Sequence, residues 1–513
     1  VIQQIDYFVI APPLVLALAA GLVLLLDAFL PARPRTRGVL GLVTLAGVLV
    51  SLGFVVAQAA GGGTPRSTFC VPPSLADPAT VQCSFVADRF TLVFAGMVLV
   101  AAVVVVLLSM AELAGGGIPV GEWYFLLLCT FVGAVTLPAS RDLIMLVVAL
   151  ELVSLPVFAL TALKRYDGRS SEAAVKLFVV SVVSTAVMLF GVSLLYGIAG
   201  TVFLSRLGAV FSGQVQAPGV ALVQGELPAV GTVGVVLVVA GFAFKIAAVP
   251  FHSWAADVYQ GAPVPVAALL SVISKAAGFA GLILVLVAAL SGQAATWVPI
   301  IAVLAALTMT AGNLLALRQR SAVRLLAWSS VAQSGYILAP LAVTVTADGA
   351  TAIGASMAYL VIYAAMNLGA FAVVMLVSKT TTRNELDDYR GLVFRRPAAG
   401  LALAFCLICL AGLPPGLAGL FAKVFVFREL VEGGSGWLAL VMAVNTVIGL
   451  YYYAVWTARL FASAPEPGPV PEPAPRRTSP ATLPAIGIAV AVAVLFSVAP
   501  QLVLDVTALS AFG

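Results

Sequence analysis

About fourteen stretches of this chain are apolar over a length that crosses a lipid bilayer, and little lies between them. A hydrocarbon core about 30 Å thick takes roughly 20 residues of helix. No water reaches a backbone amide there, so such a segment must close its hydrogen bonds within itself as a helix or within a closed barrel. Runs this long and this continuously apolar are helical. The approximate spans are 7–29, 38–58, 88–112, 121–139, 142–163, 173–198, 229–250, 263–290, 296–316, 321–345, 351–378, 400–430, 436–461 and 480–509. Of the 513 residues 62% are hydrophobic and 9% charged, where a soluble domain carries about 25% charged residues. The expected fold is an all-α integral membrane protein. The first span has no basic leader and no clear small-residue cleavage site, so it reads as a retained helix.

Basic residues orient the spans. With the N-terminus outside, seventeen of the 26 lysines and arginines fall in inner loops and five (Arg66, Arg89, Arg141, Arg206, Arg428) in outer loops. That bias places both termini outside. The first outer loop, 59–87, holds Cys70 and Cys83. An oxidising exterior permits a disulfide between them, with two free thiols as the alternative. The linker 464–479, APEPGPVPEPAPRRTS, is too rich in proline for a helix and is expected to run extended along the inner surface. Residues 200–226 are weakly amphipathic and suit the outer interface.

Four ionisable residues lie where they are costly. Lys245 sits in VVLVVAGFAFKIAAVPF, Lys275 in PVAALLSVISKAAGFAGLILVLV, Lys423 in LAGLPPGLAGLFAKVFVF and Glu151 in LIMLVVALELVSLPVFAL. A charge at the centre of a membrane helix costs about 3 kcal/mol on insertion scales. Three amines and an acid at that depth read as a proton or ion path. Burial disfavours the charged amine and a nearby carboxylate favours it, so a Glu–Lys pair of changing separation can load and release a proton. Glu151 and Lys245 are the candidates for that pair, with Lys275 and Lys423 further along. The alternative is snorkelling, in which only the stem is buried; it fits Lys176, one turn into the sixth span, as well as a functional role does. His252 can pass a proton near neutral pH or cap a helix end locally. Glu112 and Glu122 read as solvated. Asp88–Arg89 and Arg141–Asp142 read as the starts of the third and fifth spans.

Prolines interrupt two spans. Pro250 follows Lys245 by five residues, and Pro414 and Pro415 precede Lys423. Proline removes a backbone donor, and broken helices at membrane depth are tolerated where they line a cavity or are covered by protein. The broken spans are the seventh and twelfth, five apart, which suggests inverted five-helix repeats made of spans 4–8 and 9–13. The expected units are 1–120 with three helices and the outer loop, 121–290, 296–461, and 462–513 with the linker and last helix.

Other chemistry is excluded or unsupported. With one histidine, His252, the chain cannot build a two-histidine haem site. Cys406 and Cys409 form a C-x-x-C inside the apolar run FCLICLAG, where two small core residues are the simpler reading. No Gly-rich nucleotide motif appears. The chain is expected to carry no cofactor and no redox centre.

Several stretches resemble a known family. FKIAAVPFHSWAADVYQGAPVPVAALLSVISKAAGF, ASRDLIMLVVALELVSLPVFALTALKRYD, NLLALRQRSAVRLLAWSSVAQSGYIL and LAGLPPGLAGLFAKVFVF are similar to the antiporter-like subunits of respiratory complex I, over roughly residues 90–460. RYDGRSSEAAVKLFVVSVVSTAVMLFGVSLLYG and the lysine at 423 are most similar to the subunit N type. The resemblance implies a proton-translocating membrane-arm subunit of NADH–quinone oxidoreductase in a bacterial plasma membrane. It implies flavin, iron–sulfur clusters and quinone in partner subunits, and neighbours that include subunit M, small membrane subunits and lipids. It also implies roles: Glu151 as the acid and Lys245 as its partner, Lys275 as central relay, Lys423 at the outlet, Lys176 near the inner entrance, and Arg324 where relatives often carry lysine. One position departs. Relatives commonly have histidine where this chain has Gln333, which cannot exchange a proton at neutral pH, so a water wire is expected between Lys275 and Lys423. Two other readings remain, a subunit of a multi-subunit sodium/proton antiporter and a scaffold that no longer transports.

Overall fold

The computed structural model describes residues 5–31, 33–61, 64–72, 82–164, 167–215, 228–344, 349–381, 384–463 and 480–508. They form a helical bundle whose helices run between two ends. At one end lies the two-stranded hairpin of β1 (Arg66–Cys70) and β2 (Cys83–Ala87). The other end carries the basic loops around Arg33, Lys164, Arg320 and Arg395.

Among the described residues ten helices are long and apolar enough to cross a membrane, or eleven if one bent pair counts as a span. The difference from fourteen has a local cause in each case. The segment 229–250 is helical only as Ala229–Lys245, and 400–430 divides into Pro397–Ala411 and Leu417–Glu432. The segment 321–345 is helical over Ala322–Leu338 and ends in a 3₁₀ turn. The last segment is not straight: Thr482–Val498 and Gln501–Thr507 meet at 91°, where Pro500 removes a ladder donor.

The centre is built from helices that are apolar on every side. Ala350–Ser378 has 94% of its most apolar window buried inside the bundle, Val264–Ala289 has 83% and Arg89–Leu113 has 78%, against 28% for Ala11–Phe29 and Gly168–Ala199. A helix hydrophobic all round belongs in a core or in lipid, and burial decides between the two. The peripheral helices turn residues such as Leu18, Val179, Phe190 and Val447 outward.

Sequence-read helix starts hold. Asp88 accepts from the Thr91 amide at 2.8 Å and Asp142 from the Met145 amide at 2.7 Å, each satisfying an orphan donor of a first turn. Arg141 pairs with Asp88 and donates to the Pro138 and Ser140 carbonyls, joining the two starts. Cys70 and Cys83 are disulfide-bonded across the hairpin, which adds a bridge to the bundle through Phe85 and Ser140. Leu204–Phe211 is a short helix at the hairpin end. The linker 464–479 lies outside the described residues.

Both breaks have the same grammar. After Lys245 the chain leaves the helix, passes Ala247 at φ +56° and a cis Val249–Pro250 bond, and re-enters helix at Ala255–Gly261. After Ala411 it passes Gly412 at φ +82° and a cis Pro414–Pro415 bond before Leu417. At the second break the half-helices approach so closely that a Cβ on Gly419 would lie 1.7 Å from the Cys409 carbonyl oxygen. Cys406 and Cys409 are wholly buried there as small core residues.

Candidate functional site

The ionisable residues lie on a polar row through the apolar centre. Glu151 projects from Leu143–Ala162 and accepts from the Thr185 hydroxyl at 2.7 Å. Its Oε1 lies 3.5 Å from the Lys245 Nζ. Lys245 also donates to the Ser154 hydroxyl at 2.7 Å and the Ser181 hydroxyl at 3.0 Å. It sits in the last turn of its half-helix, where unsatisfied carbonyls favour a cation. A cavity of about 20 Å³ adjoins it, lined by Ser154, Ser181, Trp254 and Ser274 among others; that is room for one water with polar partners on several sides.

Lys275 follows directly. It is 2% exposed and opens a helical segment after five residues wound as π-helix, Leu270–Ser274. A second π segment, Leu284–Ala289, closes that helix, and π-turns are commonest at functional sites. Its Nζ donates to the Ser330 hydroxyl and the Ser334 hydroxyl, each at 2.7 Å, and to the Ser330 carbonyl. Ser334 in turn donates to the carbonyl of Ile246, the neighbour of Lys245. One serine thus joins the first break to the central amine. Among the described residues no carboxylate pairs with Lys275 or Lys423.

From Lys275 the row continues on tyrosines. Tyr363 donates to the Ser330 hydroxyl at 2.8 Å. Tyr359, one turn away, donates to the Gln333 carbonyl oxygen at 2.7 Å, and the Gln333 amide donates to the Tyr453 hydroxyl at 3.3 Å. Ser329 shares a hydrogen bond with the same Tyr453 oxygen. Tyr359 stacks on Tyr336 at 6.0 Å, and the Tyr336 ring faces Lys423 Nζ at 5.8 Å, within reach of a cation–π attraction. Lys423 reaches back across its break to the Leu410 and Ala411 carbonyls at 3.1 and 2.8 Å.

Gln333 therefore stands between the two lysines with both ends of its amide engaged. It cannot titrate, but it fixes two phenols whose hydroxyls can both donate and accept hydrogen bonds. The tyrosines and serines of this row were not singled out by sequence. In an apolar helix a buried Tyr or Ser looks like any core residue, and of this row only Gln333 was marked, as the position where relatives commonly have histidine.

The remaining expected residues lie apart from the row. Lys176 pairs with Glu172 at 2.7 Å and with Asp257 at 3.2 Å, and Asp257 also pairs with Arg324 at 2.8 Å. Glu172, Lys176 and Asp257 line a polar cavity of about 320 Å³ at the basic end, with Arg169 and Gln260. Burial works to raise the Asp257 carboxyl, but Arg324 and Lys176 together hold it below the ordinary carboxylate range. His252 contacts none of the amines; it packs edge-on against Trp328 at 5.5 Å, and its Nδ1 is buried without a partner. Glu122 is exposed as expected, whereas Glu112 is not simply solvated: it accepts from Lys379 at 2.7 Å in a largely buried pair. Among the described residues no group of three histidine, cysteine or acidic side chains is placed to hold a metal.

Residues 140–449 match the family model described as NADH:quinone oxidoreductase/Mrp antiporter, transmembrane. The chain is 53% identical over 471 residues to NADH-quinone oxidoreductase subunit N 2 of Streptomyces griseus, covering 91% of this chain and 84% of that protein. It is 44% identical over 476 residues to subunit N of Salinispora tropica, covering 90% and 86%. Among solved structures it superposes on a chain of respiratory complex I from Thermus thermophilus with TM-score 0.74 at 29% identity, over 96% of this chain and 98% of that one. A chain of the Mrp complex from Dietzia aligns with TM-score 0.78 at 21% identity, over 96% of each, a likeness of fold.

Proposed function

Because the chain belongs to the subunit N family of NADH-quinone oxidoreductase, the proton-translocating subunits of the complex I membrane arm, we propose that it moves protons along Glu151, Lys245, Lys275 and Lys423. The observation that supports this most is Ser334, which accepts from Lys275 and donates to the carbonyl beside Lys245. Through it, the central amine is tied to the backbone of the break that directly follows Lys245.

In this reading the basic end faces inside and the hairpin end outside. A proton enters near Lys176, Asp257 and Arg324, reaches Lys245 through the small cavity, and passes to Lys275. Charging Lys245 is favoured while Glu151 lies 3.5 Å away; withdrawing that carboxylate leaves burial to expel the proton forward. Among the described residues the Lys275 amine meets two hydroxyls, a carbonyl and the Tyr363 ring but no carboxylate, so its charge depends on what its neighbours carry. Gln333 and the phenols of Tyr359, Tyr363 and Tyr453 orient the relay toward Lys423. The division near residue 290 into two five-helix units, the bacterial plasma membrane, and neighbours that include subunit M, small membrane subunits and lipids belong to the same proposal. So do redox cofactors in partner subunits, since quinone reduction elsewhere must supply the energy. His252 serves as a local packing group at the first break.

The test is Lys245→Ala in the assembled complex, measured in proteoliposomes. Pumping and NADH-driven quinone reduction are expected to fall together, at least tenfold. Wild-type activity with wild-type proton stoichiometry would discard the role of Lys245.

A further inference from the structure

Glu429 is a buried acid that the row described above does not use. It lies on Leu417–Glu432, six residues beyond Lys423 toward the hairpin end, or roughly 9 Å along a helix rising 1.5 Å per residue. The buried face of that helix carries Ala422, Lys423, Val426, Glu429 and Leu430, so the acid and the amine share one face. Glu429 is 7% exposed. Its Oε2 accepts from the Thr351 hydroxyl at 2.9 Å. The neighbouring Arg428 is turned outward and paired with Glu432 at 2.8 Å.

Glu429 also lines a cavity of about 360 Å³ in which Thr351, Arg428, Glu432 and Thr507 stand beside apolar Phe425 and Leu504. Part of its wall is the end of the short helix Gln501–Thr507, bent 91° from the preceding one. Its seat is specific. A Cβ on Gly354 would stand 3.0 Å from the Thr507 carbonyl oxygen, and Arg89 donates to the carbonyls of Val506, at 3.1 Å, and Asp505. A cation on the last carbonyls of a helix satisfies orphan acceptors. The chain thus builds a chamber of mixed lining at the hairpin end with one buried carboxylate on its wall, and Val426, wholly buried, between that carboxylate and Lys423 along the helix.

We propose that Glu429 is the outlet acid of this subunit, taking the proton released by Lys423 and delivering it to water at the hairpin end. The proposal rests on the reading of Lys423 as the last amine of the path. The step is a plain proton transfer through water admitted from the chamber. The Lys423 ammonium becomes an amine as the Glu429 carboxylate becomes a carboxylic acid; the acid then loses its proton to the outer water and returns to carboxylate. A carboxylate two turns beyond the amine gives the proton a destination on the outlet side.

The experiment compares Glu429→Gln, Lys423→Ala, their double variant, Glu429→Asp and Thr351→Val in the whole reconstituted complex, reading pumping rate and protons moved per NADH. E429Q keeps an oxygen for the Thr351 hydroxyl and removes only the titrating group. It is expected to lower pumping at least threefold, as K423A does. The double variant is expected to fall no further, and E429D to recover at least half of the loss. Unchanged pumping in K423A would sink the Lys423 reading on which this rests. Impaired K423A with E429Q within twofold of wild type would overturn the role of Glu429 alone. If the acid merely anchors Thr351, T351V loses more than E429Q, which keeps that anchor; the proposal requires T351V to lose less than twofold. Should E429Q fail to assemble on a native gel, E429D and T351V decide, and equal loss in those two overturns the proposal.

Discussion

The two breaks present the same backbone solution to opposite electrostatic situations. At the first, Lys245 ends the half-helix before the break and meets a carboxylate and two hydroxyls. At the second, Lys423 belongs to the half-helix after the break and reaches back to two carbonyls, with no acid beside it among the described residues. Helix-end carbonyls offer a fraction of a charge, whereas a carboxylate in a poorly hydrated site offers a whole one that can be moved away. In the proposed path the first break attracts a proton on demand and the second holds one weakly. On that proposal the asymmetry gives the row a direction which two symmetric repeats would lack.

The sharpest way to break this comparison is Glu151→Gln, which makes the first break resemble the second. Pumping by the reconstituted complex is expected to fall at least tenfold while Thr185 keeps an acceptor. A rate within twofold of wild type would mean that the counter-charge is dispensable and that the breaks are equivalent. Gln333→His tests the segment between them. An imidazole titrates near neutral pH, so the variant is expected to change pumping two- to fourfold and to add a titration between about pH 6 and 7 to its profile; a profile identical to wild type would show that the relay bypasses this position.

The smallest effect concerns the approach to the first break. Lys176 and Arg324 hold the Asp257 carboxyl below its ordinary range against the opposing effect of burial. Its ion pairs therefore contribute stability above the unfolded carboxylate pKa of about 3.9, and lose it only as pH falls through the lower folded value. Asp257→Asn is expected to lower pumping by less than twofold. The difference in thermal midpoint between wild type and variant should be constant from pH 8 to about pH 5 and shrink in more acid solution; a difference that disappears near neutral pH would remove Asp257 from the entrance cluster.

Sequence alone located what depends on one residue's surroundings. An amine flanked by several turns of hydrocarbon has few benign explanations, so Lys245, Lys275 and Lys423 were legible, as were the helix starts at Asp88 and Asp142 and the breaks at Pro250 and Pro414. What it missed depends on partners from distant helices. Tyr359, Tyr363 and Tyr453 acquire their meaning only where three spans converge on Gln333. Glu429 was hidden by its neighbours, because Arg428 and Glu432 make the segment look like a solvated rim, while one residue of the three turns inward. Each of the fourteen apolar segments is helical, but hydropathy does not report where a ladder is interrupted, as between Pro397–Ala411 and Leu417–Glu432, or where a chain bends after Ala499, so fewer of them are long unbroken helices.

The nine residues Lys275–Ile283 lie between two turns that each hold more backbone than an α-helix needs. Wide turns of that kind break the regular ladder of an α-helix and are frequent at functional sites. The central amine is thus mounted on a short regular spindle set between an irregular collar above and another below.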